Sequence, residues 1–322
     1  MEKVVAVTVT YNSSHFLRRC LDALLNQSYE ISKIIIVDNH SEKSHHVSNE
    51  KIVQDNKKVE YYYLPDNTGG AGGFEYGMLR ALELSPDWVW IMDDDAFPEH
   101  DCLEKLLEHK NYANIGCICP AIFGIDNQNY QVYHHKKISP FLLNDSPKYE
   151  FYDDFPEVFE IDANAFVGPL ISRRVIDDIG VADGGLFIYG DDTEYTYRLT
   201  RKYKMIVVKN AIINHRDILL NNENHRFTPQ IWWKTYYTYR NRFFFVKKFS
   251  KNRLQLFCLM SYLKIRIHLS IIYTKLNKKL KKYKKLKIDL YKKAIDDGVH
   301  GRYGKLLDPD QYRQIVDNID RS

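Results

Sequence analysis

With 322 residues, 44% apolar and 27% charged side chains and a net charge of only +4, the chain can bury a large core; it is neither a disordered segment nor a small disulfide scaffold. Five scattered cysteines (Cys20, Cys102, Cys117, Cys119, Cys258) include no CxxC pair, which favours a reducing compartment. No signal peptide precedes the first strand and no uncharged apolar stretch approaches the ~18 residues of a membrane span, so a soluble or peripheral protein is expected.

The first half alternates strand and helix patterns. Val4–Thr10 is a β-branched run, and apolar residues then recur at helical spacing over Phe16–Asn26. Lys33–Asp38 and Val59–Leu64 read as further strands. A glycine-rich turn, Asn67-Thr-Gly-Gly-Ala-Gly-Gly-Phe74, leads to a helix over Phe74–Leu84, and Trp88–Met92 forms a fourth strand that runs into Asp93-Asp94-Asp95. Such alternation predicts an α/β fold, a mainly parallel sheet with helices on both faces, whose ligands sit beyond the carboxyl ends of the strands. Thr10-Tyr11-Asn12, Asp38-Asn39 and Asp93–Asp95 all fall at that rim. Beyond it the pattern is less regular: a strand at Ile115–Ala121, a hairpin through Tyr130–Tyr133, Phe166–Gly168 leading into a helix with Arg173, Arg174 and Ile176, and a helix over Thr193–Lys202 opened by Gly190-Asp191-Asp192. Met205–Val208 and Ala211–Ile213 then lead to His215.

Adjacent carboxylates at a strand end repel one another, and a divalent cation with oxygen ligands resolves the conflict. A cation beside a glycine turn suits a diphosphate, because small residues let backbone N–H groups approach its oxygens. Together they point to a metal-dependent enzyme acting on a nucleotide diphosphate.

The tail differs in composition. Lys247–Lys293 carries sixteen Lys or Arg and one acid, Asp289, so the remainder is acidic by about eleven charges. Apolar residues such as Leu256, Leu259, Leu263, Ile267 and Ile271 are interleaved. A basic, apolar-striped helical region predicts binding to an anionic membrane surface. No nucleic-acid-binding motif accompanies the charge, so nucleic acid is not the expected partner. We place a catalytic domain over residues 1–225 and a helical basic region over 226–322, which would serve the membrane, the acceptor side or homo-oligomerisation.

Val7-Thr-Val-Thr-Tyr-Asn12, Ile36-Val-Asp-Asn39, Asn67–Phe74 and Ile91-Met-Asp-Asp-Asp95 together resemble the family 2 inverting glycosyltransferases of the GT-A fold. The NxGGAGGF and MDDD pair is most similar to bacterial galactofuranosyltransferases, with rhamnosyltransferases as near relatives. Tyr236–Asn241, Asp297-Gly298 and Gly301-Arg302 resemble the tail of the same group. The resemblance implies a UDP-sugar donor, UDP-galactofuranose before dTDP-rhamnose, and a glycan or lipid-linked glycan acceptor at the cytoplasmic face of the plasma membrane. It implies that Asp93 and Asp95 hold Mn²⁺ or Mg²⁺ with His215 as third ligand. Asp94 points elsewhere and is grouped with the donor-binding residues Thr10, Tyr11, Asp38, Asn67, Gly69, Gly70, Gly72 and Gly73. Asp192 is the implied catalytic base and Asp191 orients the acceptor. The galactofuranosyl members carry a Trp-Trp pair ahead of the base; Asp162–Gly168 has no tryptophan, which points to single addition rather than polymerisation. A non-catalytic sugar-nucleotide-binding component is the alternative from another class. A pyrophosphorylase is disfavoured, because Thr10–Ser14 lacks a phosphate-gripping Lys or Arg.

Overall fold

The computed structural model describes residues 1–54, 56–126, 128–216 and 228–321. β1 (Val4–Thr10) is buried along its whole length, as expected of a β-branched run covered on both faces. α1 (Ser14–Leu25) lays Leu17, Cys20, Leu21 and Leu24 on the core. β2 (Lys33–Asp38), α2 (Lys43–Val53), β3 (Val59–Tyr63), α3 (Gly69–Glu83) and β4 (Trp88–Asp93) continue the alternation. Then come β5 (Ala96–Pro98), α4 (Cys102–Glu108), β6 (Ile115–Gly124), β7 (His135–Ile138), β8 (Asp145–Pro147), β9 (Val158–Glu160) and β10 (Ala163–Asn164). β11 (Val167–Ser172), α5 (Arg173–Ile179), α6 (Asp191–Thr200) and β12 (Lys204–His215) complete this part.

Among the described residues the main sheet runs β3-β2-β1-β4-β11-β6-β12-β5, with β9 also on β12, and β10-β7-β8 form a small second sheet. β3, β2, β1 and β4 are mutually parallel, while β11 is antiparallel to both β4 and β6. The sheet is therefore mixed and mostly parallel, with an apolar cluster on each face. Register aligns the strand ends: Thr10 lies opposite Asp38 and Val9 opposite Asp93. β12 runs parallel to β6, and β5 turns back antiparallel on β12 so that His215 pairs with Ala96, next to Asp95.

Three local expectations change. The glycine segment is not a turn before a helix but the first part of α3 itself, because Asn67 and Thr68 close its entrance, Gly72 lies against Thr68 and Gly73 against Val9 of β1. The helix predicted directly after Gly168 is preceded by β11; Gly168 (φ 80°) and Pro169, at a register shift, disguise the strand. The hairpin through Tyr130–Tyr133 reduces to one bridge between Phe123 and Tyr130.

The chain divides into two compact units, Met1–Ile138 with Asp145–Gly184 and Asp191–Asp217, and Ser139–Asn144 with Gly185–Gly190 and Ile218–Ser322. The sequence-predicted boundary at 225/226 lies outside the described residues. The second unit contains α7 (Trp232–Phe249), α8 (Arg253–Leu276), α9 (Lys284–His300) and α10 (Pro309–Arg321). It recruits Gly185–Gly190 through buried Arg240 and Asn241: Asn241 Nδ2 donates to the carbonyls of Leu186, Ile188 and Tyr189 at 2.8–2.9 Å, and Arg240 donates to that of Leu186 at 2.8 Å. Asp297, also buried, accepts from Tyr236 at 2.6 Å, Lys293 at 2.8 Å and Arg302 at 2.9 Å, so the tail residues noted in the sequence form one polar network. By length and composition α8 is long and apolar enough to cross a membrane, but Lys264 and Arg266 interrupt it in mid-helix, so it contains no uncharged stretch of membrane length.

Candidate active site

Asp93 and Asp95, at the end of β4, and His215, at the end of β12, each direct one ligand atom into a cluster whose members lie within 4.8 Å of one another. His215 Nε2 stands 3.2 Å from Asp95 Oδ1. The other ring nitrogen is held by Gln131: Gln131 Nε2 donates to the His215 carbonyl at 3.2 Å, which turns Oε1 towards Nδ1 at 3.0 Å as acceptor. Nδ1 therefore carries the proton, and the Nε2 lone pair faces a carboxylate oxygen. Two acceptors at that distance need a cation between them, either a proton on the ring or a metal ion. The second carboxylate, Asp93, makes a divalent ion the better fit, and the O,O,N donor set suits Mn²⁺ or Mg²⁺. Burial and the charges of Asp95, Asp94, Asp191 and Asp192 hold the Asp93 carboxyl well above the usual carboxylate range, a conflict that a divalent ion relieves.

Asp94 is buried and points away from this cluster. Burial and the charge of Asp95 push its carboxyl up to about 8, against the opposing pull of Thr10, Ser13 and the Tyr11 N–H. Asp191 and Asp192 open α6, where acidic side chains suit the helix N-terminus. Burial and the neighbouring Asp192 raise the Asp191 carboxyl to about 7. Asp192 Oδ1 accepts from the Thr193 N–H at 2.5 Å, and Lys136 Nζ lies 3.8 Å from its Oδ2 while donating to Thr193 Oγ1 at 2.7 Å. Asp192 is thus a partly exposed carboxylate with a cation beside it.

The residues expected to bind the donor differ in burial and in their partners. Asp38 is fully buried, and its carboxylate accepts from the Ser41 N–H (2.8 Å), Asn49 Nδ2 (2.8 Å) and Tyr61 Oη (2.6 Å). It faces inward, contrary to the expectation of a carboxylate offered to uracil or ribose, and fixes the β2–α2 turn. Asn67 Oδ1 accepts from the Gly69 N–H at 2.8 Å and from Asn39 Nδ2 at 3.2 Å, while Asn39 Oδ1 accepts from the Thr68 N–H at 2.9 Å, tying the end of β2 to the start of α3. A Cβ on Gly72 would stand 2.5 Å from that of Thr68, and one on Gly73 2.6 Å from Val9 Cγ1; both glycines are required by packing. Gly69 has φ 72°, and Gly70 has open space where a Cβ would point. Tyr11 is exposed and Thr10 buried at the end of β1.

No motif or periodicity marks Gln131, His134 or Lys136, which lie in the irregular middle stretch of the chain. His134 Nε2 shares Gln131 Oε1 at 2.7 Å, and burial followed by the neighbouring His215 holds its pKa well below the usual histidine value.

A sheet of this topology, with an acidic strand end beside a helix-opening glycine segment, defines the GT-A class of nucleotide-sugar enzymes. The sequence profile of glycosyl transferase family 2 matches residues 5–180, and the chain belongs to that family of glycosyltransferases. It is 28% identical over 255 residues to galactofuranosyltransferase GlfT1 of Mycolicibacterium smegmatis, covering 75% of this chain and 82% of that one. It is 24% identical to dTDP-rhamnosyl transferase RfbF of Shigella flexneri, over 61% and 62% of the two chains. In structure it resembles Staphylococcus aureus TarS 1–349 in complex with UDP (TM-score 0.53, 12% identity, 93% of this chain and 92% of that one). It also resembles GalNAc-T7 bound to UDP, GalNAc and Mn²⁺ (TM-score 0.56, 17% identity, 76% of this chain), of which it spans about half, 51%. At these identities the structural likenesses establish the fold alone.

Proposed function

We propose that this glycosyltransferase is inverting and depends on a divalent metal, moving galactofuranose from UDP-galactofuranose to a glycan or lipid-linked glycan acceptor in surface polysaccharide synthesis. The observation that carries the reading is the convergence of Asp93, Asp95 and His215 close enough to Asp191 and Asp192 for their charges to act on Asp93. The named galactofuranosyltransferase relatives support the choice of donor.

In a single displacement the acceptor oxygen bonds to the anomeric carbon as the bond from that carbon to the diphosphate oxygen breaks. The bonding pair leaves with UDP, and the acceptor hydroxyl's proton passes to a base. Asp192 is that base, with Lys136 Nζ 3.8 Å from its Oδ2 and its side chain oriented by the bond from the Thr193 N–H. Asp191 accepts a hydrogen bond from the acceptor sugar. A metal ion held by Asp93, Asp95 and His215 would stabilise negative charge on the departing diphosphate. Gly70, at the open edge of α3, lets the diphosphate approach the helix N-terminus, and Tyr11 borders the base. Asp38 acts through the turn it holds rather than by touching the nucleotide.

A dTDP-rhamnose donor is the second reading, favoured by the relative from Shigella flexneri. A panel of UDP- and dTDP-sugars, incubated with Mn²⁺, Mg²⁺ or EDTA and assayed for nucleotide release, decides between them. Metal-dependent UDP release from UDP-galactofuranose alone is the expected result, whereas dTDP release from dTDP-rhamnose would move the assignment. We place the enzyme peripherally at the cytoplasmic membrane face on the strength of its basic helical region.

A further inference from the structure

α8 presents two faces of opposite character. Leu259, Leu263, Ile267 and Ile271 are buried within the second unit, where the helix packs on α7 and α9. On the opposite side Leu254, Phe257, Ile265, Leu269, Ile272 and Leu276 are all more than half exposed. These positions recur at three, four, seven and eight residues, so they form one stripe about 33 Å long. At 100° per residue Lys264 and Lys275 flank the stripe on one side and Arg266 on the other, where long side chains can lay their stems along apolar surface and keep their charges in water. No acidic residue occurs between Lys247 and Asp289, and Lys278–Lys285 continues the positive charge past the helix end.

We propose that this face of α8 is an interfacial docking surface that lies flat in the headgroup layer of an anionic bilayer. A spanning helix is disfavoured because it would carry Lys264 and Arg266 to the bilayer centre and would strip the buried stripe from α7 and α9. A second copy of the chain is disfavoured because two such stripes would bring like-charged rims together with no acid to offset them. An anionic lipid surface satisfies both the apolar stripe and its rim. The proposal deepens the peripheral-membrane part of the proposed function and is independent of the donor chemistry.

The test is co-sedimentation of the full chain with phosphatidylcholine vesicles, with or without phosphatidylglycerol, alongside nucleotide release with a water-soluble acceptor. The docking account predicts binding to the anionic vesicles, at least tenfold weaker in Ile265→Glu/Leu269→Glu. Lys264→Gln and Lys275→Gln should each weaken it about fivefold, consistent with the contribution of one surface lysine. Because all four side chains are exposed, melting temperature and nucleotide release should stay unchanged. Equal binding by wild type and the double glutamate variant would overturn the proposal. So would resistance of the bound protein to alkaline carbonate, which marks a spanning helix, or a solution dimer that the glutamates convert to monomer. Absent nucleotide release with vesicle binding intact would sink the donor reading and leave the docking surface standing.

Discussion

On the proposed metal-dependent reading, Gln131 prepares His215 to act as a ligand. By fixing the proton on Nδ1 it leaves Nε2 free to face the carboxylates, the outer-shell device commonly seen at histidine metal ligands. Gln131→Leu, which keeps bulk but removes the acceptor, should weaken Mn²⁺ affinity about 10- to 100-fold, measured by metal titration without substrate. Unchanged affinity would remove Gln131 from the site. At the start of α6 the charge of Asp192 acts on the buried Asp191 carboxyl. With Asp191 deprotonating at about 7, turnover should rise as pH increases through that value, and Asp191→Asn should abolish or shift that limb. Stability runs the other way. The folded pKa of Asp191 lies above its unfolded value of about 3.9, so its contribution falls as pH rises from about 4 to about 7. Above pH 7, thermal melts should therefore find Asp191→Asn more stable than the wild type in the metal-free protein. Little of this was legible in the sequence: an Asp or His announces its chemistry, but a glutamine 84 positions from its histidine gives no sign of it.

At the scale of elements, the glycine segment shows why a motif and its physical reason can part. Four glycines beside an acidic triplet suggested close approach of a diphosphate, yet two of them are needed because α3 lies against its own cap and against β1. The positions are separable by experiment. Gly73→Ala forces a methyl into Val9 and should cost about 1–3 kcal/mol in denaturant unfolding. Gly70→Ala meets nothing and lies in a helix, so stability should hold or improve by about 0.4–1 kcal/mol while the KM for the donor rises. If Gly70→Ala leaves the KM untouched, the diphosphate does not pass that edge. The parallel strands were readable because β1 and β2 are short β-branched runs alternating with helical patterns. β11 was not, since Gly168 and Pro169 break the run that would have marked it.

For the whole molecule, the alternation of strands and helices, the acidic rim and the basic tail were all legible in the sequence, and they suffice for the fold and the family. The return of β12 to β5, which brings His215 beside Asp95, is a long-range pairing that periodicity cannot reveal. The same holds for the insertion of Gly185–Gly190 into the helical unit. On the proposed reading, one carboxylate at the start of α6 takes the acceptor's proton in a metal-dependent displacement. Its most direct test is Asp192→Asn, which keeps a competent helix-opening side chain and removes the base. UDP binding in the presence of Mn²⁺ and steady-state transfer should be measured on the same preparation. The account predicts binding within about twofold of wild type and turnover reduced by at least about 10²-fold. Turnover within a few-fold of wild type, or binding lost in step with turnover, would contradict it.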